Sequence, residues 1–145
     1  MGTTAWSIQR NINATNLRIG GIDSRIRDYE TMRSNLQRIK GRHELGVQEL
    51  ESSYNKMANS STLSSIKQTG VFEGAMADSL TGIVRNTFAT VLSSLRAAKS
   101  VSAGIDTQIT KIDTKIRSLE GERSMEHAHI TNLHNDLRRI NTRRR

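Results

Sequence analysis

The chain has 145 residues, no cysteine, no proline and a formal net charge of +8. The lack of cysteine excludes disulfides and thiol chemistry, and no apolar run approaches the roughly 20 residues that a membrane-spanning helix needs. Only 34% of the residues are apolar and 3% are aromatic. That is too little for a thick globular core, but enough for a narrow apolar seam between thin helices.

The first predicted element is a long helix, from about residue 6 to about residue 58. Its apolar residues alternate at spacings of three and four, which places them in one stripe along a helix. The stripe consists of Ile8, Ile12, Ile19, Ile22, Ile26 and Tyr29. It then continues, displaced by one residue, through Met32, Leu36, Ile39 and His43, and resumes as Val47, Leu50, Tyr54 and Met57. This displacement predicts a seam that drifts around the helix.

A connector rich in serine, threonine and glycine follows, over residues 59–74. Serine and threonine compete with helix formation by bonding to nearby backbone, so we expect a short loop or helix near residues 58–73. The connector ends with Phe72 and Gly74. An aromatic side chain at a turn packs inward and glycine permits a tight turn, so Phe72 is expected to close the end of a hairpin.

The second predicted helix runs from about residue 75 to about residue 140 and is followed by a basic tail, residues 141–145. Its apolar residues again keep helical spacing. The residues at this spacing are Met76, Leu80, Ile83, Val84, Thr87, Val91, Leu95, Ala98, Ile105, Ile109, Ile112, Ile116, Leu119, Ile130, Leu133, Leu137 and Ile140. Two such helices predict an all-α fold, an elongated and coiled-coil-like antiparallel helical hairpin that forms one domain over residues 1–145.

Charged residues interrupt both stripes. Arg123 and Glu126 occupy seam positions of the second helix, and Arg33 falls where the early spacing of the first helix predicts an apolar residue. One interpretation is that Glu126 contacts Arg33 and fixes the register, as polar pairs do in coiled-coil seams. The other is that the register shifts and that Met125 and Ala128 turn inward.

No arrangement of residues typical of catalysis is present in the sequence. The four histidines are His43, His127, His129 and His134. None lies four residues from another, which is the spacing that metal-binding helices favour. Neither a Gly-X-Ser-X-Gly element nor a glycine-rich phosphate loop occurs. We therefore expect no enzyme activity, no cofactor and no metal site.

The C-terminal arginines and the single tryptophan are two further candidate binding features. The arginines are Arg138, Arg139, Arg143, Arg144 and Arg145. Such a tail would attract nucleic acid or another anionic partner, or would be a solvated helix end whose charges favour the negative pole of the helix dipole. Trp6 either caps the open end of the hairpin or anchors a partner, because tryptophan is enriched at binding hot spots.

Residues 72–78 read Phe-Glu-Gly-Ala-Met-Ala-Asp, and residues 105–109 and 112–116 read Ile-Asp-Thr-Gln-Ile and Ile-Asp-Thr-Lys-Ile. Two long helices joined at an aromatic-X-Gly element resemble the Trp-X-Gly helical hairpins of type VII secretion systems. The order of the segments is more closely similar to the YwqH-like proteins encoded beside LXG-type toxins in Gram-positive bacteria. Those proteins carry a Trp/Phe-X-Gly-X-X-Ala-Asp stretch and an Ile-Asp-X-X-Ile-X-X-Ile type tail. On this resemblance the hairpin motif comprises Phe72, Gly74, Ala77 and Asp78.

The resemblance implies a non-enzymatic targeting partner that binds the helical N-terminal LXG domain of a type VII-secreted toxin and promotes its stability and export. A second small helical protein or a second copy of the chain are further expected partners. The alternative is a basic coiled-coil protein that binds nucleic acid or associates with itself. The candidate interface residues are Trp6, Ile109, Ile112, Ile116, Leu119, Ile130, Leu133 and Leu137.

The expected location is cytoplasmic, or outside the cell after export together with a partner. Residues 1–6 lack the charged-then-apolar order of a Sec signal peptide. The Tyr-X-X-X-Asp/Glu export motif of the family is also absent, because Arg33 follows Tyr29 and Ala58 follows Tyr54 at the required distance. We therefore expect a partner to supply the type VII export signal.

Overall fold

The computed structural model describes residues 4–60 and 75–144. Over these residues the chain forms two α-helices, α1 over Ala5–Ala58 and α2 over Ala75–Arg143. The helices pack antiparallel, which confirms the predicted all-α helical hairpin. The predicted connector lies outside the described residues. At its C-terminal end α2 extends into the predicted basic tail.

Local chemistry explains how α1 begins and why it continues without a break. The Thr4 hydroxyl accepts a hydrogen bond from the Ser7 backbone N–H at 3.1 Å, and the Ser7 hydroxyl donates to the Thr4 carbonyl at 2.9 Å. Threonine at this position satisfies an amide that the first turn leaves unpaired. The chain has no proline to interrupt either helix. Lys56 in the last turn of α1 and Arg143 in the last turn of α2 favour the helix dipole.

The contacts divide the chain into two compact units. The terminal unit comprises Met1–Asn35 and Ile109–Arg145, and the middle unit comprises Leu36–Gln108. Each unit therefore contains a segment of α1 and a segment of α2. The assignment of the whole chain to one domain stays a prediction.

The terminal unit holds most of the buried apolar side chains among the described residues. They are Ile8, Ile12, Ile19, Ile22 and Ile26 of α1 and Ile116, Leu119 and Leu133 of α2. Burial of each such side chain contributes about 1.5–3 kcal/mol of transfer free energy. Thr15 lies in the same stripe and is fully buried. Its hydroxyl donates to the Asn11 carbonyl at 2.8 Å and accepts from Arg18 at 2.9 Å, so its burial leaves no polar atom unpaired.

The middle unit is packed more loosely. Leu95 is its one buried hydrophobic residue within the described part of the chain. The Tyr54 and Phe88 rings meet edge to face, with centroids 5.3 Å apart. His43 Nε2 donates to the Ala98 carbonyl oxygen at 2.6 Å. The seam of this unit therefore combines half-buried apolar groups with polar contacts.

The predicted displacement of the α1 stripe after Tyr29 is wrong at Met32 and Ile39, whereas Leu36 and His43 are half-buried as predicted. Met32 and Ile39 are 52% and 50% exposed, whereas Arg33 and Lys40 are half-buried. These two residues continue the seven-residue spacing of Ile12, Ile19 and Ile26. A charged residue can hold a seam position because its methylene stem packs on apolar surface while its charged head reaches the edge.

Both interpretations of the charged seam positions are wrong as well. Arg33 pairs with Asp113 at 2.9 Å, not with Glu126, and Glu126 instead pairs with Arg18 at 3.3 Å. Met125 is 74% exposed, so it does not turn inward.

Ala128 is exposed too. Arg123 keeps its seam position because Asp23 of α1 lies 3.0 Å from its guanidinium. Acidic partners across the seam thus remove the need for any change of register.

Candidate protein-interaction surface

One side of the seam in the middle unit is lined with ion pairs, and we call it the charged flank. Lys40 lies 2.7 Å from Asp106 and 3.5 Å from Glu44, and Lys99 lies 3.5 Å from Glu51. The hydrogen bond to Asp106 is the main cause that raises the pKa of Lys40 above the ordinary lysine value. The charged flank is therefore already satisfied within the chain.

The opposite side of the same seam carries no charge, and we call it the apolar flank. We assign residues to this flank from the helical rotation of 100° per residue. Its residues lie on the side of each helix away from Glu51 and Lys99. From α1 it comprises Ile39, Gly46, Ser53 and Met57, and from α2 it comprises Ile83, Thr87, Thr90, Ser94, Ala97 and Val101. The α2 residues alternate at spacings of four and three, so they form a second stripe beside the seam.

The large side chains of the apolar flank are about half exposed or more. The exposed fractions are 50% for Ile39, 46% for Met57, 63% for Ile83 and 53% for Val101. A Cβ atom built on Gly46 would meet nothing within 4 Å. Exposed apolar groups at heptad spacing are typical of a surface that packs against another helix.

Small residues separate the large ones along the flank. On α2, Thr87, Thr90, Ser94 and Ala97 lie between Ile83 and Val101, and all four are exposed. A shallow depression opens beside them, lined by Ile83, Asn86, Thr87, Thr90 and Val91. Small side chains between larger ones allow a neighbouring helix to approach closely.

Other exposed apolar residues do not form a continuous surface. Leu45 is 61% exposed and points away from the seam of the middle unit. In the terminal unit, Trp6 and Leu17 are 70% and 79% exposed. The Arg10 guanidinium lies 5.5 Å from the centre of the Trp6 ring, a cation–π contact. Single exposed hydrophobic residues are normal on a protein surface.

Most of the predicted interface residues lie in the seam of the terminal unit. Ile116, Leu119 and Leu133 are buried there. The half-buried members are Ile109, Ile112, Ile130 and Leu137. Of the predicted set, Trp6 has the largest exposed surface. The contact of these residues with a partner stays a prediction.

The predicted hairpin motif is described only in part. Phe72 and Gly74 lie outside the described residues. Ala77 and Asp78 lie in the first turn of α2, where an acidic residue favours the positive end of the helix dipole. Asp78 is exposed.

The basic tail is described as far as residue 144. Arg138, Arg139, Arg143 and Arg144 are exposed, and Arg145 lies outside the described residues. Arg139 lies 3.8 Å from Asp136 one turn earlier. The tail therefore presents positive charge to the solvent.

Sequence reasoning assigned Ile83 and Thr87 to the seam, whereas the structure exposes both. It therefore missed the apolar flank, although a signal for it exists. No acidic residue occurs between Asp78 and Asp106, an unusual interval on a surface helix. The stripe from Ile83 to Val101 has heptad spacing but consists mainly of threonine, serine and alanine. A search for large hydrophobic residues passes over such a stripe.

Comparison of the chain with family models, with curated proteins and with solved structures finds no match. Among residues 4–60 and 75–144, neither helix contains a stretch apolar enough to cross a membrane. The side chains described by the structure form no cluster of three or more metal-ligating groups.

Proposed function

We propose that this protein is a non-enzymatic adaptor that binds a helical partner protein through the apolar flank of its middle unit. The partner is the helical N-terminal domain of an LXG-type toxin, which the adaptor keeps stable and accompanies to type VII secretion. The observation that carries the proposal is the contrast between the two flanks. One flank is satisfied by ion pairs within the chain, and the other is uncharged and exposes four large apolar side chains.

The energetics of this surface favour a helical partner. Burial of the exposed half of Ile39, Met57, Ile83 and Val101 would contribute on the order of 1 kcal/mol each. No charge on the flank has to lose its hydration when a partner covers it, so the desolvation cost is low. A third helix laid along the flank would complete a bundle with knobs-into-holes packing.

The identity of the partner rests on the resemblance to the YwqH-like proteins. The supporting residues are the Phe-X-Gly stretch at residues 72–78 and the two Ile-Asp segments at residues 105–109 and 112–116. An LXG domain would offer long amphipathic helices of the kind that the apolar flank fits.

Co-purification with the LXG domain of the toxin encoded beside this protein tests the proposal. The tagged chain, co-expressed with that domain, is expected to retain it. Ile83→Lys and Val101→Lys place a charge in the flank and are expected to abolish retention. Leu17→Lys is the control, because Leu17 is an exposed hydrophobic residue of the terminal unit and lies outside the flank.

Failure of the native chain to retain the domain would contradict the proposed function. Equal retention by the native chain and all three lysine variants would show that another surface binds the toxin. Circular dichroism of each variant establishes that it has kept its helices, so that loss of retention reports on binding.

A second candidate function is binding of nucleic acid by the basic tail, which the exposure of Arg138, Arg139, Arg143 and Arg144 favours. The expected signature is binding to duplex DNA or to RNA that weakens steeply with salt. Replacement of these four arginines by glutamine is expected to remove it. Retention of the toxin domain by the same variant would separate this candidate from the adaptor function.

A further inference from the structure

Three charged residues of α1 border the apolar flank at regular spacing. Arg42, Glu49 and Lys56 follow one another at intervals of seven residues, and all three are exposed. We call them the charge triad. Helical geometry places them immediately beyond Ile39 and Gly46, on the side away from the seam.

The charge triad is unpaired within the described part of the chain. None of its members takes part in an ion pair or a side-chain hydrogen bond there. By contrast, Lys40, Glu51 and Lys99 on the charged flank all have partners of opposite sign. The same helix therefore satisfies its charges on one side and leaves an alternating pattern open on the other.

No charged residue of α2 borders the apolar flank. The charged residues between Asp78 and Asp106 are Arg85, Arg96 and Lys99. Helical spacing directs all three away from the flank, and Lys99 pairs with Glu51 on the other side. Among the described residues of the middle unit, no side chain is therefore placed to pair with the charge triad.

We propose that the apolar flank binds a single amphipathic α-helix of the partner protein and that this helix carries an acidic, a basic and an acidic residue at seven-residue spacing. This inference rests on the proposed function and specifies the chemistry of its partner. The three charges of the helix pair with Lys56, Glu49 and Arg42. Because the pattern reads the same in both directions, it fixes the axial position of the helix and not its direction.

The shape of the flank sets the length and side-chain sizes of that helix. The stripe from Ile83 to Val101 extends over about 27 Å, or five helical turns. Its middle consists of small residues, with Gly46 on α1 and Thr90, Ser94 and Ala97 on α2. The helix is therefore expected to place its large apolar residues over the middle of the flank, where the small residues leave room for them.

A second copy of this chain does not fit as the occupant. In a two-fold interface each copy presents the same surface. An antiparallel pairing of two α1 segments through this flank would place Arg42 against Lys56 and Glu49 against Glu49. A parallel pairing would place each member of the charge triad against itself. An α2 segment of the second copy would leave the charge triad unpaired, because its flank has no charge.

Two synthetic helical peptides test the proposal with the full chain. Each contains three heptads with leucine and alanine in the apolar stripe. One carries Glu, Lys and Glu at the seven-residue positions beside the stripe, and the other carries Lys, Glu and Lys. Compensating charges on the far face give both peptides the same net charge, so that the +8 charge of the protein does not decide the result.

The native chain is expected to bind the Glu-Lys-Glu peptide about tenfold more tightly, because three favourable pairs replace three unfavourable ones. The triple variant Arg42→Glu/Glu49→Lys/Lys56→Glu is expected to prefer the other peptide. Its helical content is expected to match that of the native chain, since the charge triad is unpaired within the described residues. Its thermal midpoint is expected to fall slightly, because Lys56→Glu loses the favourable interaction with the dipole of α1. Higher salt is expected to reduce both preferences.

Equal binding of the two peptides to both proteins, or binding of neither peptide, would overturn the proposal. The toxin domain distinguishes this failure from failure of the proposed function. Retention of that domain by the triple variant at native strength would overturn the charge pattern while the adaptor function stands. Failure of the native chain to retain the toxin domain would contradict the adaptor function itself.

Discussion

The terminal and middle units have the same seven-residue spacing in their seams, but they differ in how much apolar surface the seam buries. In the terminal unit the seam buries a row of isoleucines, and ion pairs such as Arg18–Glu126 and Arg123–Asp23 line its edges. In the middle unit the seam has Leu95 as its one buried hydrophobic residue among the described residues, and one flank has no charge. The terminal unit thus buries most of the apolar side chains among the described residues, whereas the middle unit leaves apolar side chains exposed. On the proposed function, the first unit stabilises the hairpin and the second binds the partner.

The largest effect that tests this comparison is the loss of a core isoleucine. Ile22→Ala in the terminal unit is expected to cost about 2–5 kcal/mol of unfolding free energy, because it removes a buried side chain and leaves a cavity. Ile83→Ala in the apolar flank is expected to change it by less than about 0.5 kcal/mol. Urea denaturation followed by circular dichroism measures both. Similar losses for the two variants would contradict the division of roles.

A side chain at Gly46 should separate stability from binding. Gly46→Gln is expected to stabilise the free chain by about 0.5–1 kcal/mol, since glycine is a poor helix former and nothing lies within 4 Å of the added Cβ. Overpacking in the complex costs about 1–3 kcal/mol, so the toxin domain should bind about tenfold or more weakly.

Gly41→Gln is the control for this prediction. Gly41 also has nothing within 4 Å of an added Cβ, but it lies outside the apolar flank. It should give the same gain in stability with unchanged affinity. Calorimetric titration measures the affinity of each variant for the toxin domain. If Gly46→Gln bound the domain as tightly as the native chain does, Gly46 would not be part of the binding surface.

A smaller effect is expected from the ion pairs of the terminal unit. Asp23 and Arg123 are each about one-third exposed, with 36% and 37% of their side-chain surface accessible. Their coupling in a double-mutant cycle with alanine is therefore expected to be about 0.2–1 kcal/mol. A coupling of zero at low salt would show that the isoleucine seam alone sets the register of this unit.

The smallest expected effect is a pH dependence on the charged flank. The pKa of Lys40 is raised above its value in the unfolded chain, mainly by the hydrogen bond to Asp106. The contribution of this pair to stability is thus fully present below the ordinary lysine pKa of about 10.4 and is lost as pH rises through the higher folded value.

Thermal unfolding of the native chain and of Lys40→Met measures this contribution. The difference between their melting temperatures should stay constant from neutral pH to about pH 9 and should shrink at higher pH. A difference that does not change at high pH would mean that the ammonium charge of Lys40 does not stabilise the middle unit.

The two helices could be predicted from the sequence because their spacing is regular and proline is absent. The register could not, because the apolar pattern continues the stripe through Met32 and Ile39, whereas Arg33 and Lys40 occupy the seam positions. Their long side chains reach Asp113 and Asp106 from seam positions. Distant acidic residues therefore stabilise these charged seam positions, and a local apolar pattern does not identify them.

The candidate interface shows a second limit of sequence reasoning. Ile116, Leu119 and Leu133 have the spacing of a helix-binding surface, and the structure shows that α1 of the same chain covers them. Spacing alone does not distinguish a helix of the same chain from a helix of a partner. Exposure adds the stripe from Ile83 to Val101 as a candidate surface, and the contact of the predicted residues with a partner stays a prediction.

Protection of engineered thiols tests the central claim most directly, because the chain has no cysteine of its own. Ser94→Cys lies in the middle of the apolar flank, and Ser52→Cys lies on the far face of α1. The rate of maleimide modification is measured for each variant, free and in complex with the LXG domain. The account predicts that the complex strongly slows modification at position 94 and leaves position 52 unchanged. Modification at position 94 as fast in the stable complex as in the free chain would contradict it.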